Sequence, residues 1–128
     1  MMQQAVDLLE EGTELKALLD TLAPDDWARE TPFKNWTINK VVQHLHGADK
    51  AAVLSLTDAD GFLAARQNPQ TVGEIMNPTI EGEALLDTWW NYFQDMCESL
   101  GNSDPKRRVP WFGPDMGVMM FTTARQME

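Results

Sequence analysis

The sequence predicts an all-α chain folded as a four-helix bundle. Two observations carry this. Four long segments each repeat apolar residues at three- and four-residue steps, as one face of a helix requires. No stretch shows the period-two alternation of a half-buried strand. Helices with one apolar stripe each bury those stripes most simply against one another.

The first segment runs from Gln3 to Leu22, with Ala5, Leu8, Leu9, Leu15, Leu18, Leu19 and Leu22 on its apolar face. Gly12 interrupts it without breaking it, and Ala23-Pro24-Asp25-Asp26 ends it. After a loop with Thr31-Pro32 and Trp36, Thr37 is placed to cap a second helix, its hydroxyl accepting from a free first-turn amide. Ile38, Val41, Val42, Leu45, Ala48 and Ala52 form that helix's apolar face. Thr57-Asp58 closes it, and Asp58 is placed to cap a short helix through Phe62 and Ala65. Gln67 to Pro78, with two prolines and a glycine, reads as a connector. Thr79 is the N-cap candidate of the third long helix, whose stripe is the strongest in the chain: Leu85, Leu86, Trp89, Trp90, Phe93, Met96, Cys97 and Leu100. Gly101-Asn102 stops it. A loop from Ser103 to Pro114 leads to a last helix starting near Pro114 or Asp115, with Met116, Met119, Met120, Ala124 and Met127 facing inward. That helix has no C-cap glycine and no basic residue beyond Arg125, so it reads as cut short at Glu128.

A chain of 128 residues, 43% hydrophobic and 23% charged, is expected to form a single globular domain over residues 1–128. A formal charge of −10 opposes broad contact with nucleic-acid phosphates and with anionic membrane. No apolar run reaches the ~18 residues of a membrane span, and the N-terminus lacks the basic and apolar regions of a signal peptide. A cytoplasmic location is therefore expected. The single cysteine, Cys97, excludes an internal disulfide and any CxxC metal or redox site. It lies on the third helix's apolar stripe, where a buried small hydrophobe is expected rather than a reactive thiol. Neither a P-loop nor a dinucleotide-binding glycine motif is present. The methionines near the C-terminus read as core filling.

Two histidines remain. His44 falls on the apolar face of the second helix, three residues after Val41 and four before Ala48. His46 is rotated from it by about 200° at 100° per residue, so the two do not readily share one ion. An inward histidine is either a hydrogen-bonded core residue or a metal ligand. Glu128, four residues after Ala124, projects near the inward face of the last helix. A carboxylate there is costly unless paired or bound to a cation; alternatively it is a solvated terminus, with Arg125 at the i, i+3 spacing as partner.

Two blocks of sequence carry a resemblance. Asp26-Trp27, Thr31-Pro32, Asn35-Trp36-Thr37-Ile38 and Val41-Val42-Gln43-His44-Leu45 form the first, with Asp49 and Leu54-Ser55-Leu56-Thr57-Asp58-Ala59-Asp60 following. Val109-Pro110-Trp111-Phe112-Gly113-Pro114-Asp115-Met116 and Phe121-Thr122-Thr123-Ala124-Arg125-Gln126-Met127-Glu128 form the second. Together they resemble the N-terminal domain of mycothiol-dependent maleylpyruvate isomerase, a family of the DinB-like superfamily of four-helix bundles. The resemblance implies a divalent metal, zinc foremost and nickel as an alternative, with His44 as first ligand and Glu128 as second. It implies a low-molecular-weight thiol as cosubstrate and a small electrophile as substrate. Homodimers are common in the superfamily.

Three departures stand out. The family's last ligand, a histidine one turn after the glutamate, would fall four residues beyond Glu128, so the domain is C-terminally incomplete relative to the family. Asn35 replaces a glycine, and Met116-Gly117 replaces Met-Ser. Two functions follow as expectations. The first is a metal-dependent, thiol-using transferase or maleylpyruvate isomerase-like enzyme domain. In it Asp49 either orients a ligand or is a solvated helix residue, and Trp111 and Phe112 either wall a pocket or pack in the core. The second is a non-catalytic dimeric bundle that has lost its metal and serves binding or assembly, with the stripe of Trp89, Trp90 and Phe93 as interface.

Overall fold

The computed structural model describes residues 2–112 and 116–118. The fold over these residues is all-α apart from one two-residue hairpin, as the apolar periodicity predicts. Three long helices, α1 (Gln3–Leu19), α2 (Ile38–Thr57) and α5 (Gly82–Gly101), make the frame, with two short ones, α3 (Ala59–Arg66) and α4 (Pro69–Met76), between α2 and α5. Among the described residues no helix is long and apolar enough to cross a membrane.

Helix α5 is the axis, and α1 and α2 both pack along it. Leu85, Trp89, Met96 and Leu100, spaced at helical steps, are buried to 2% exposure or less and form the seam. Phe93 and Cys97 widen it. Of the aromatic stripe, Trp89 and Phe93 are internal, their ring centroids 5.3 Å apart and their planes tilted by 33°, while Trp90 is partly buried against the same core. Trp27, on a 3₁₀ turn at Pro24–Ala28, closes the same core at one end. Gly12 of α1 faces the Phe93 ring, and a methyl group there would collide with it. The glycine that interrupts α1's pattern is therefore a place where that helix lies close against α5.

The caps behave largely as the sequence indicates. Thr37 Oγ1 accepts from Lys40 N at 3.1 Å, Asp58 Oδ1 accepts from Gly61 N at 3.0 Å, and Asn102 ends α5. Thr79 does not cap α5; Glu81 holds the N-cap position and the helix starts at Gly82, whose φ of +62° suits a glycine.

Two elements differ from expectation. The supposed connector contains α4, because Asn68 Oδ1 accepts from both Gln70 N and Thr71 N while Pro69 sits at the first helical position. The prolines and glycine hid a helix with a regular start. The last helix is expected to run through Met116 from a start near Pro114 or Asp115, which lie outside the described residues; Met116–Gly117 instead pairs antiparallel with Arg108–Val109. Val109 and Val118 are fully buried and belong to the hydrophobic core. Arg107 Nη2 donates to Leu56 O at 2.7 Å and the Ser55 hydroxyl donates to Pro110 O, so the hairpin is tied to α2 by groups that no periodicity reports. The methionines from 119 onward lie outside the described residues.

The α1 and α2 faces are not fully covered. Leu15, Leu18 and Leu22 of the first segment line an apolar groove of about 340 Å³ with Ile38, Val41 and Leu45. Leu18 is 62% exposed there.

Candidate functional site

The loop before α2 sets the first wall of the site. Glu30 and Thr37 form an isolated antiparallel bridge, and Trp36 N donates to Phe33 O at 2.9 Å across a tight turn. Its two central residues, Lys34 and Asn35, both have positive φ, 51° and 59°. This is the mirror-image turn that hairpins favour, and it carries strain at any residue but glycine or asparagine. The turn seats the Trp36 indole against α2, 5.6 Å from the His44 ring.

His44 itself does not face the core. It is exposed and opens onto a cleft of about 470 Å³. Trp36, Lys40 and Gln43 form the same wall; the segment between α4 and α5, from Met76 to Glu81, forms the other. Side chains of α2 hold that segment in place. Gln43 Nε2 donates to Ile80 O at 2.9 Å, and Asn39 Oδ1 accepts from Gly82 N at 2.8 Å. Gly47 permits the close approach: a methyl group there would sit 2.6 Å from Met76 O.

The histidine on the buried side of α2 is His46, at 4% exposure. The reading of His44 as inward is thereby corrected. The physical reason is that α2 packs against α3 and α4 as well as α5, so its buried arc is wider than its apolar residues mark and is turned toward Gly47 and Asp49. The His46 ring meets Tyr92 edge-on at 5.5 Å. Its Nδ1 is buried without a hydrogen-bond partner among the described residues. Burial first, and the Lys50 ammonium second, lower its pKa, so it is held neutral. Asp49 is buried at 8% exposure, which removes the reading as a solvated residue. It lies 140° around α2 from His44 at 100° per residue, on the side of His46 rather than of the cleft.

Comparison with known proteins decides the family. The model of the mycothiol maleylpyruvate isomerase N-terminal domain matches residues 8–128. The chain belongs to this family. Two uncharacterized proteins of Mycobacterium tuberculosis, one from strain CDC 1551 / Oshkosh and one from strain ATCC 25618 / H37Rv, are each 35% identical to it over 131 residues, covering 95% of this chain and 50% of theirs. The chain thus spans about half the length of the curated relatives it matches. No solved structure matches it significantly.

For this maleylpyruvate isomerase-like domain, the two positions that the resemblance marks stand differently. His44 is on the cleft wall; Glu128 lies outside the described residues. Among the described residues no group of three or more His, Cys, Asp or Glu side chains is assembled for a metal ion. The cleft does bring Glu81 into the same lining as His44, 37 residues away in sequence. Trp111 and Phe112 pack on Phe62 of α3, with centroids at 5.7 and 5.2 Å, and do not line the His44 cleft. Arg66 Nη1 donates to Trp111 O at 2.7 Å and fixes that corner. Cys97 is a buried hydrophobe as expected: burial, then the Asp49 charge, push its thiol up to about 12. Asn35 in the left-handed region explains the family's glycine at that position, since asparagine tolerates this conformation best after glycine. Sequence reasoning missed Lys40, Gln43 and the Met76–Glu81 wall. The Asn68-Pro69 start of α4 was the one available signal for that wall.

Proposed function

We propose that this chain is the metal-binding part of a thiol-dependent transferase or isomerase acting on a small electrophile. The observation that carries the reading is the His44 imidazole on the wall of a mixed polar and apolar cleft, at the position where the family's motif places its first metal ligand. The donor chemistry fits a divalent ion: a neutral imidazole and a carboxylate are ligands that zinc and nickel accept. His44 would be the first ligand and Glu128 the second, with Glu81, which lines the same cleft as His44, as a further carboxylate donor. A divalent ion held by these residues would favour the deprotonated, nucleophilic form of a bound thiol.

The chain's own residues do the rest. Trp36 supplies an apolar face beside His44 and limits the directions from which a substrate enters. Gln43 and Asn39 keep the opposite wall at a fixed distance by their bonds to Ile80 and Gly82. That rigidity holds two reactants in one geometry.

The test is metal content. Protein prepared without a histidine tag should carry about one equivalent of zinc or nickel, and His44→Ala should lose it while keeping its helical circular dichroism. Wild-type protein without a stoichiometric metal after incubation with either ion defeats the reading. So does His44→Ala retaining it.

A further inference from the structure

One wall of the His44 cleft is built from residues that the core hardly holds. From Leu63 to Ala84 no residue is buried. Helices α1, α2 and α5 each bury several residues and α3 buries Phe62, but α4 buries none. Val72, Ile75 and Met76 of α4 are half-buried, and within this stretch Ile80 is the residue that packs against the core. The side-chain bonds of α4 are local: Gln70 Nε2 donates to Glu74 Oε1, and Asn77 Nδ2 donates to Gly73 O. Among the described residues, the side chains that bond the stretch to α2 are Gln43, to Ile80 O, and Asn39, to Gly82 N. Both bonds lie at its C-terminal end, and neither reaches α4 itself.

The two ends of the stretch are suited to turning. Arg66, bonded to Trp111 O, fixes the last residue of α3. The chain then passes through Asn68, whose extended backbone (φ −114°, ψ 106°) separates α3 from α4. At the other end Gly82 has φ +62°. Apart from its chain neighbours, no heavy atom lies within 4 Å of the place a first side-chain carbon would take there. Glycine crosses between backbone regions without the steric cost that other residues meet, and here no neighbour has to be displaced. A segment hinged at both ends, with few buried apolar contacts, opens at a lower cost than global unfolding.

We propose that residues 69–81 form a strap that swings as one body on Asn68 and Gly82, with Gln43 and Asn39 as its latch. Closed, the strap is the second wall of the cleft. Open, it carries Met76 to Glu81 away from Trp36 and His44 and exposes the α2 side of the cleft to an incoming ligand. The movement needs no metal, so it is independent of the metal reading.

Hydrogen–deuterium exchange of the whole chain, chelator-treated and read by mass spectrometry, tests this. In wild type the amides of residues 71–81 should exchange faster than those inside α2 and α5. Gln43→Ala and Asn39→Ala should each speed exchange across 71–81 about fivefold, the worth of one hydrogen bond, and the double variant about 25-fold. The α4 amides decide the matter, because neither latch touches them and they respond only if the strap moves as a unit. Exchange inside α5 should stay at the wild-type rate, which separates strap opening from global unfolding. Gln70→Ala, which removes only the local bond to Glu74, should leave residues 79–81 unchanged. Strap amides as protected as those of α5 overturn the inference. So do latch variants that leave α4 at the wild-type rate, and so do variants that speed α5 as much as the strap.

Discussion

Gly47→Ala sets two effects of known size against each other. In the interior of α2, alanine is favoured over glycine by about 1 kcal/mol. That gain assumes room for the methyl group. At Gly47 the added carbon would lie 2.6 Å from Met76 O and 2.9 Å from both Met76 C and Cα. These are backbone atoms at the end of α4, and the following segment is tied to α2 by Gln43 and Asn39. Relief requires moving α4's end bodily, and overpacking of this kind costs about 1–3 kcal/mol. The clash is against backbone, so the upper half of that range applies, and the net loss is about 1–2 kcal/mol. For a chain of 128 residues this lowers Tm by about 4–8 °C. Gly73→Ala supplies the comparison. Gly73 is in α4, and a methyl group there would meet only Asn77 Nδ2, at 4.0 Å. Propensity acts alone, and Tm should rise by about 2–4 °C. Thermal unfolding followed by far-ultraviolet circular dichroism measures both. If Gly47→Ala melts at or above wild type, α4 does not sit on α2 as described, and the cleft's second wall loses its foundation.

Two further expectations concern groups whose environment is now explicit. Cys97 should resist thiol reagents at pH 8 in the native protein and react as one equivalent when unfolded. Its folded pKa, raised by burial and Asp49 to about 12 from an ordinary 9.0, means that its contribution is present below pH 9 and lost as pH rises from 9 toward 12. Urea midpoints across that window should fall less steeply for Cys97→Ala than for wild type. At Asn35, replacement by glycine should leave Tm within about 2 °C of wild type, whereas valine, which is strained at φ 59°, should cost about 1–2 kcal/mol; equal melting of the two would refute the left-handed turn.

Much of the site was legible in the sequence, but not its orientation. The Trp36-Thr37 step, the Thr37 cap and the histidine seven residues after it fix where α2 starts and that His44 is in its second turn. They do not fix which way His44 looks. An apolar stripe identifies a helix's buried side only when one neighbour covers it. Helix α2 is covered by α3, α4 and α5, so small and polar residues such as Gly47, Asp49, Ser55 and His46 are buried alongside the apolar ones, while Leu45 and Val41 line an open groove.

Local sequence by itself determined the long helices and most of their caps, because propensity, capping and 3.6-residue periodicity act over a few neighbouring residues. It determined the core seam of α5, because that stripe has a single dominant burial face. The motifs at both ends of the chain determined the family. Only the tertiary structure decided that His44 is exposed and His46 buried, and that Glu81 shares a cleft with His44. Those are consequences of which surfaces pack together, and packing joins residues tens of positions apart for which no local rule exists.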